Sequence, residues 1–280
     1  YGISWIPDTA EKGGESDISQ PLLDMRHVSI SYDGETVVRD VSLQMNPGEI
    51  LGIVGESGSG KSTLLRSVMG LLGSGGSVTG GEIFYKGQNI THRKGEEARK
   101  LRGPGMGMIF QNTGAALCPV RTVGDQLCEC VREHTDMGRE EIRGQAKELL
   151  GKLGLSDGDR ILDSYPFELS GGMSQRAGIL MAMILKPDLL LADEPTSALD
   201  VTVQKQAVRE MMRMRDLYGT GIVIVTHNIG VVEYMADKIA VMYQGKLVEY
   251  GDAGTVIRNP QDPYTRKLTD AVLRVRRRQA

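Results

Sequence analysis

The sequence is poor in aromatic residues, which fill 5% of its 280 positions, and it contains one tryptophan and three cysteines. Three thiols cannot all pair with one another, and no basic leader runs into an apolar core of the secretory kind, so a reduced, cytoplasmic setting is expected. An excess of one charge is also missing: 33 Lys and Arg stand against 36 Asp and Glu, a formal net charge of -3. Phosphate-backbone binding calls for a basic excess, so a nucleic-acid partner is not expected. Long apolar runs are lacking too. The longest uninterrupted one, Ala177 to Leu185, ends at Lys186-Pro187-Asp188, far short of the ~18–20 residues that span a bilayer. What is present, 40% hydrophobic residues, suffices for a substantial core and excludes global disorder.

Residues 1–21 are polar, with Gly13-Gly14 set among charges and serines; a flexible tail is expected there. Trp5 lies in it and reads as tag or tail, as does the start at Tyr1 in place of an initiator methionine. From Val28 the pattern changes. Val28, Ile30 and Tyr32 alternate with polar residues, Asp33-Gly34 supplies a turn, and Val41, Leu43 and Met45 alternate again, which predicts an antiparallel β layer. Ile50 to Val54 reads as a strand buried on both faces, and Leu64, Leu65, Val68, Met69 and Leu72 fall at helical spacing. A hairpin-like segment, Glu82 to Ile90, follows. From Gln111 the sequence turns helical, as in the amphipathic Glu141 to Leu150, and an inserted helical subdomain over about 111–180 is expected. Strand-like runs return at Asp188–Ala192 and Ile222–Val225, separated by a helix through Val201–Tyr218, restoring a βαβ rhythm.

Gly55-Glu56-Ser57-Gly58-Ser59-Gly60-Lys61-Ser62 fits G-x-x-x-x-G-K-[ST] between a buried strand and a helix. Its glycines let successive N–H groups face phosphate oxygens, Lys61 reaches the β and γ phosphates, and the Ser62 hydroxyl suits Mg²⁺; Thr63 follows directly. Leu189 to Glu194 is an apolar strand ending in two carboxylates. Beside a phosphate loop, Asp193 is suited to hold the metal through its water and Glu194 to polarise an attacking water. Leu169-Ser170-Gly171-Gly172-Met173-Ser174-Gln175-Arg176 supplies a second anion-binding helix start. One nucleotide does not need two such loops from the same chain, so a second chain is expected to present its copy.

Together these motifs, with His227 after Ile222-Val223-Ile224-Val225-Thr226, resemble the ATP-binding-cassette ATPases from about Leu22 to Leu273. The resemblance implies an α/β fold: a P-loop core of mostly parallel sheet with helices, an antiparallel β subdomain and an inserted α-helical subdomain, within a nucleotide-binding domain over residues 22–273. It further implies that Tyr32 stacks on adenine, that Gln111 senses Mg²⁺ and the γ-phosphate, and that His227 contacts the γ-phosphate. Ser197-Ala198-Leu199-Asp200 would cross the dimer interface.

Tyr165-Pro166-Phe167-Glu168 before the signature, His227-Asn228-Ile229-Gly230-Val231-Val232, and Asn259-Pro260-Gln261-Asp262-Pro263-Tyr264-Thr265-Arg266 resemble the oligopeptide, dipeptide and nickel importer ATPases. That group implies ATP and Mg²⁺, two transmembrane permease subunits, a second ATPase subunit that is a related chain rather than a copy, and an extracytoplasmic substrate-binding protein. It also implies a peripheral place on the cytoplasmic face of the cell membrane. Two departures flank catalytic loops: Asn228 stands where aspartate is common, and Asn112-Thr113 where Asp-Pro is common. Some members carry an iron–sulfur cluster near the C-terminus. Here Cys118, Cys128 and Cys130 have no successor, and no cluster is expected. The basic close, Arg274 to Arg278, reads as a solvated tail over 274–280. The rival reading is a soluble mechanical ATPase of the same superfamily, a DNA-repair or ribosome-associated clamp; the coiled coils, zinc modules or paired cassettes typical of those proteins are not found.

Overall fold

The computed structural model describes residues 20–270 apart from positions 94, 156 and 198. Most of the expected N-terminal tail, with Trp5, and the whole basic close at 274–280 lie outside the described residues.

Strands β1 (Leu23–Tyr32) and β2 (Glu35–Met45) form a hairpin. Its turn residues Asp33 and Gly34 both take positive φ, 48° and 87°, the backbone hand that matches strand twist in a two-residue turn. Val41, Leu43 and Met45 are buried while Ser42 and Gln44 face solvent, the period-2 pattern of a half-covered sheet. Strand β3 (Ile50–Val54) leads to helix α1 (Lys61–Val68), after which β4 (Gly76–Tyr85) and β5 (Gln88–Asn89) complete an antiparallel sheet ordered β2-β1-β4-β5.

Helix α2 (Gly95–Leu101) and strand β6 (Met106–Ile109) precede a helical stretch: α3 (Thr113–Ala116), α4 (Val123–Arg132), α5 (Arg139–Lys152), α6 (Gly158–Asp163) and α7 (Gly171–Met183). Then come β7 (Leu189–Asp193), α8 (Val201–Tyr218), β8 (Gly221–Thr226), α9 (Ile229–Met235), β9 (Lys238–Tyr243), β10 (Lys246–Asp252) and α10 (Ala253–Arg258). Residues 263–270 are again helical.

The second sheet has the order β10-β9-β3-β8-β7-β6. Strands β9, β3, β8, β7 and β6 run parallel, and β10 joins antiparallel at one edge. Every residue of β3, β7 and β8 is buried, as covering both faces of a parallel sheet requires. One apolar cluster joins this sheet to the helices through Leu150, Leu180, Met211 and Ile224. A second joins it to the antiparallel layer through Ile30, Met45, Leu64 and Leu191. The apolar run at Ala177 therefore belongs to a helix buried nearly all round. Helix α9 lies so close on β3 that a Cβ at Gly52 would sit 2.1 Å from Val232 Cγ1.

Candidate nucleotide site

Strands β3, β8, β7 and β6 are parallel neighbours, so their C-terminal ends share one edge of the sheet, the usual ligand edge of such folds. The phosphate loop follows β3, His227 follows β8, Glu194 follows β7 and Gln111 follows β6 by two residues.

In the loop Gly58 and Gly60 take φ of 80° and 93°, a region open to glycine at little cost. Gly60 starts α1 without a side-chain cap, which leaves first-turn N–H groups facing the loop mouth. The Lys61 side chain is buried; its ammonium donates to the Gly55 carbonyl at 2.9 Å and the Glu56 carbonyl at 2.7 Å. Burial lowers the Lys61 pKa, and Glu194, Asp193 and Glu56 oppose that shift in part.

The Ser62 hydroxyl donates to Asp193 Oδ1 at 2.6 Å, and the Arg66 guanidinium stands 3.4 Å from Oδ2 of the same carboxylate. Asp193 is fully buried, where an unpaired carboxylate would be costly. Arg66 was not among the residues singled out in the sequence; its position one helical turn after Ser62 is the signal that points to it.

Glu194 adopts φ 45°, a sparsely populated conformation for a residue with a Cβ. It is held there by its N–H on the Val225 carbonyl at 2.9 Å and by the Ser197 hydroxyl on its own carbonyl at 3.1 Å. Gln111 Nε2 and His227 Nδ1 each lie 3.4 Å from Glu194 Oε2. Both departures noted in the sequence act as helix caps. The Asn112 side chain accepts from Ala115 N at the start of α3, and that of Asn228 accepts from Gly230 N at the start of α9, a role asparagine and aspartate share.

Ser170 caps α7, its hydroxyl accepting from Met173 N at 3.4 Å, and Asp200 caps α8 through Thr202 N and Val203 N. An open groove of about 400 Å³ runs between them, its walls including Gly171, Gly172, Arg176 and Leu199. Arg176 pairs with Glu210 at 2.9 Å and fastens α7 to α8; burial raises the Glu210 pKa, and Arg176 pulls the other way. All groove walls come from residues 170–176 and 199–206. The fold thus gathers Lys61, Ser62, Asp193, Glu194, Gln111 and His227, and sets Ser170, Gly171, Gly172 and Asp200 at a separate groove.

Tyr32 lies on the antiparallel layer at the end of β1, half-buried, its hydroxyl donating to the Leu72 carbonyl at 2.9 Å. Cys118 is exposed, Cys128 buried and Cys130 partly buried, all as free thiols. Burial pushes the Cys130 pKa up, with Glu133 and Glu129 adding to the shift.

A parallel sheet whose central strand runs through a glycine loop into a helix, beside a strand ending in an acidic pair, defines a P-loop NTPase. Residues 38–197 match the family model described as ABC transporter. The chain is 39% identical over 259 residues to the oligopeptide transport ATP-binding protein AmiE of Streptococcus pneumoniae, covering 90% of this chain and 72% of that one. It is 39% identical over 258 residues to the dipeptide transport ATP-binding protein DppD of Lactococcus lactis, covering 90% and 74%. Its fold is similar to the dimeric post-hydrolysis ATP-binding cassette MJ0796 bound to ADP and Pi, with TM-score 0.73 and 28% identity over 82% of this chain and 98% of that one. The chain belongs to the ABC transporter family and is an ATP-binding, ATP-hydrolysing member of it. No helix among the described residues is long and apolar enough to cross a membrane.

Proposed function

We propose that this chain is the ATPase subunit of a peptide importer, working from the cytoplasmic face of the membrane. It would work with two permease subunits, a second and related ATPase chain, and an extracytoplasmic binding protein that delivers the peptide. Its agreement with oligopeptide and dipeptide transport relatives over about nine-tenths of its length supports the substrate class. The observation that carries the catalytic reading is the meeting of Gln111 and His227 on Glu194 Oε2.

In this reading the N–H groups of Gly55, Ser57, Gly58 and Gly60 and the Lys61 ammonium hold the phosphates, Thr63 supports the loop from α1, and Tyr32 stacks on adenine. The Ser62 hydroxyl and the Asp193 carboxylate offer hard oxygen donors that fit Mg²⁺, with Gln111 as a further oxygen ligand. When bound, the ion would neutralise charge on the β and γ phosphates. Glu194 takes a proton from the attacking water. Gln111 and His227 hold that carboxylate and meet the γ-phosphate. The distinct groove at Ser170, Gly171, Gly172 and Asp200 suits a nucleotide held on a facing chain, so two chains close over two ATP molecules. Cysteine-based metal chemistry has no part in this reading.

The test is reconstitution of the chain with its co-purifying membrane subunits in lipid nanodiscs. Peptide-loaded binding protein should stimulate ATP hydrolysis; purification without polytopic partners, or with nucleic acid bound, would overturn the importer reading.

A further inference from the structure

The segment Asn259 to Arg266 lies far along the chain from every residue assigned above, yet it reaches the phosphate loop. The Glu56 N–H donates to the Tyr264 hydroxyl at 2.8 Å, across 208 residues of sequence. That N–H belongs to the peptide group joining Gly55 to Glu56, and the carbonyl of the same group accepts from Lys61 Nζ at 2.9 Å. One peptide plane is therefore gripped at both ends, by the tyrosine on one side and the phosphate-loop lysine on the other. A peptide whose N–H is engaged presents a more polarised carbonyl, so the two grips reinforce each other.

Tyr264 is itself well anchored. Its ring packs on Tyr243, at the end of β9, with centroids 4.3 Å apart. Both oxygens of the Glu249 carboxylate on β10 accept from the segment, one from Gln261 N at 2.8 Å and one from Asp262 N at 3.0 Å. Asp262 Oδ1 accepts from Tyr264 N at 2.7 Å, and the Arg266 guanidinium closes the loop on the Pro260 carbonyl at 2.9 Å. Tyr264 and Leu268 pack against Val54, Val241 and Val256, so the segment rests on the strand end from which the phosphate loop springs.

We infer that Tyr264 is a positioning residue for the phosphate loop: its hydroxyl fixes the Gly55–Glu56 peptide and through it the Lys61 ammonium, linking nucleotide binding to the Asn259–Arg266 segment. The inference rests on the reading of the Lys61 loop as the ATP site. It assigns the segment a task within the chain. Because coupling between sites is reciprocal, bound nucleotide tightens the segment as the segment holds the loop.

Tyr264→Phe keeps the ring and deletes only the hydroxyl. In the full chain it should raise the dissociation constant and KM for ATP by about 2- to 12-fold, the range of one neutral hydrogen bond, with kcat at saturating ATP unchanged. Tyr250→Phe is the control, since it removes a hydroxyl that bonds Gln44 on β2, away from the loop; its ATP affinity should match that of the unaltered chain. Binding is read by calorimetry with Mg²⁺ and a non-hydrolysable ATP analogue, and folding by the thermal midpoint. In hydrogen–deuterium exchange the same analogue should protect residues 259–269 of the unaltered chain and fail to do so in Tyr264→Phe. Equal affinity of Tyr264→Phe and the unaltered chain, or an equal loss in Tyr250→Phe, would overturn the inference. Failure of the unaltered chain to bind the analogue would instead overturn the reading of the Lys61 loop.

Discussion

Ser62 and Asp193 meet at 2.6 Å across 131 residues of sequence, hydroxyl to carboxylate, with no exposure of the acid to solvent. The pair joins the start of α1 to the end of β7, so a single contact sets the two sides of the proposed ion site. Asp193→Asn keeps the shape and removes the charge. It should raise the Mg²⁺ concentration that half-saturates ATP hydrolysis by about 10- to 100-fold, as loss of a metal-orienting group does. A Mg²⁺ titration of phosphate release checks it, and an unchanged midpoint would detach Asp193 from the ion.

Glu194→Gln should bind ATP and lose turnover by about 10²- to 10⁴-fold, the contribution of a positioned general base. Its amide can still meet Gln111 but cannot take a proton from water. Single-turnover phosphate release measures the chemical step directly; near-normal hydrolysis would remove Glu194 from the role.

Ser170→Arg should leave ATP binding at the Lys61 loop intact, because Ser170 lines a different groove. ATP-driven association of two chains should be lost. Light scattering with and without ATP reads the outcome, and unchanged association would sink the facing-loop arrangement.

Gly52 has no room for a methyl group, given the 2.1 Å approach to Val232 Cγ1 that a Cβ would make. Gly52→Ala should destabilise the fold by about 1–3 kcal/mol, the usual cost of overpacking. Val232→Ala in the same chain should return part of that loss, with a coupling of at least about 0.5 kcal/mol in a denaturation cycle. Strict additivity would show that the strand and helix part without strain.

Glu49, just before β3, contributes to the acid-side pH dependence. Burial works against its ionisation, but the backbone and side-chain N–H groups of Asn46 and the Lys238 ammonium outweigh it, so its pKa is lowered. A carboxyl depressed in the folded state stabilises above its unfolded value, about 4.3, and that stability is lost as pH falls through the folded value. Glu49→Gln should therefore flatten the acid limb of thermal midpoint against pH. A limb as steep as before would assign it to other acids.

The local motifs were legible because their chemistry is written in adjacent residues: a glycine loop, an apolar strand ending in two acids, a serine followed by two glycines. The βαβ rhythm followed from apolar runs long enough to read. Strand β6, of four residues, gave no such run, and β9 and β10 lie between the His227 and Asn259 motifs, where Lys238–Tyr243 nonetheless carries a buried strand's pattern. The grip of Tyr264 on Glu56 and the left-handed backbone of Glu194 leave no local trace, and the reach of Arg66 to Asp193 shows only in its spacing from Ser62. Each is made by tertiary structure between segments that share no spacing, and the same holds for Gly52 against Val232.

Among the described residues strand β6 stands at the edge of its sheet, with β7 as its one strand neighbour, and Gln111 follows two residues after it. The strands carrying Lys61 and the Asp193-Glu194 pair are each clamped from both sides. The strands that lead into the site are thus held unequally within the sheet. In the proposed importer a push on Phe110, which is 40% exposed, would meet one strand ladder instead of two, next to the Gln111 amide that lies 3.4 Å from Glu194. Under that reading, load arriving at this edge would change how the Glu194 carboxylate is held, and with it how water is poised for attack, before it disturbed the Lys61 loop.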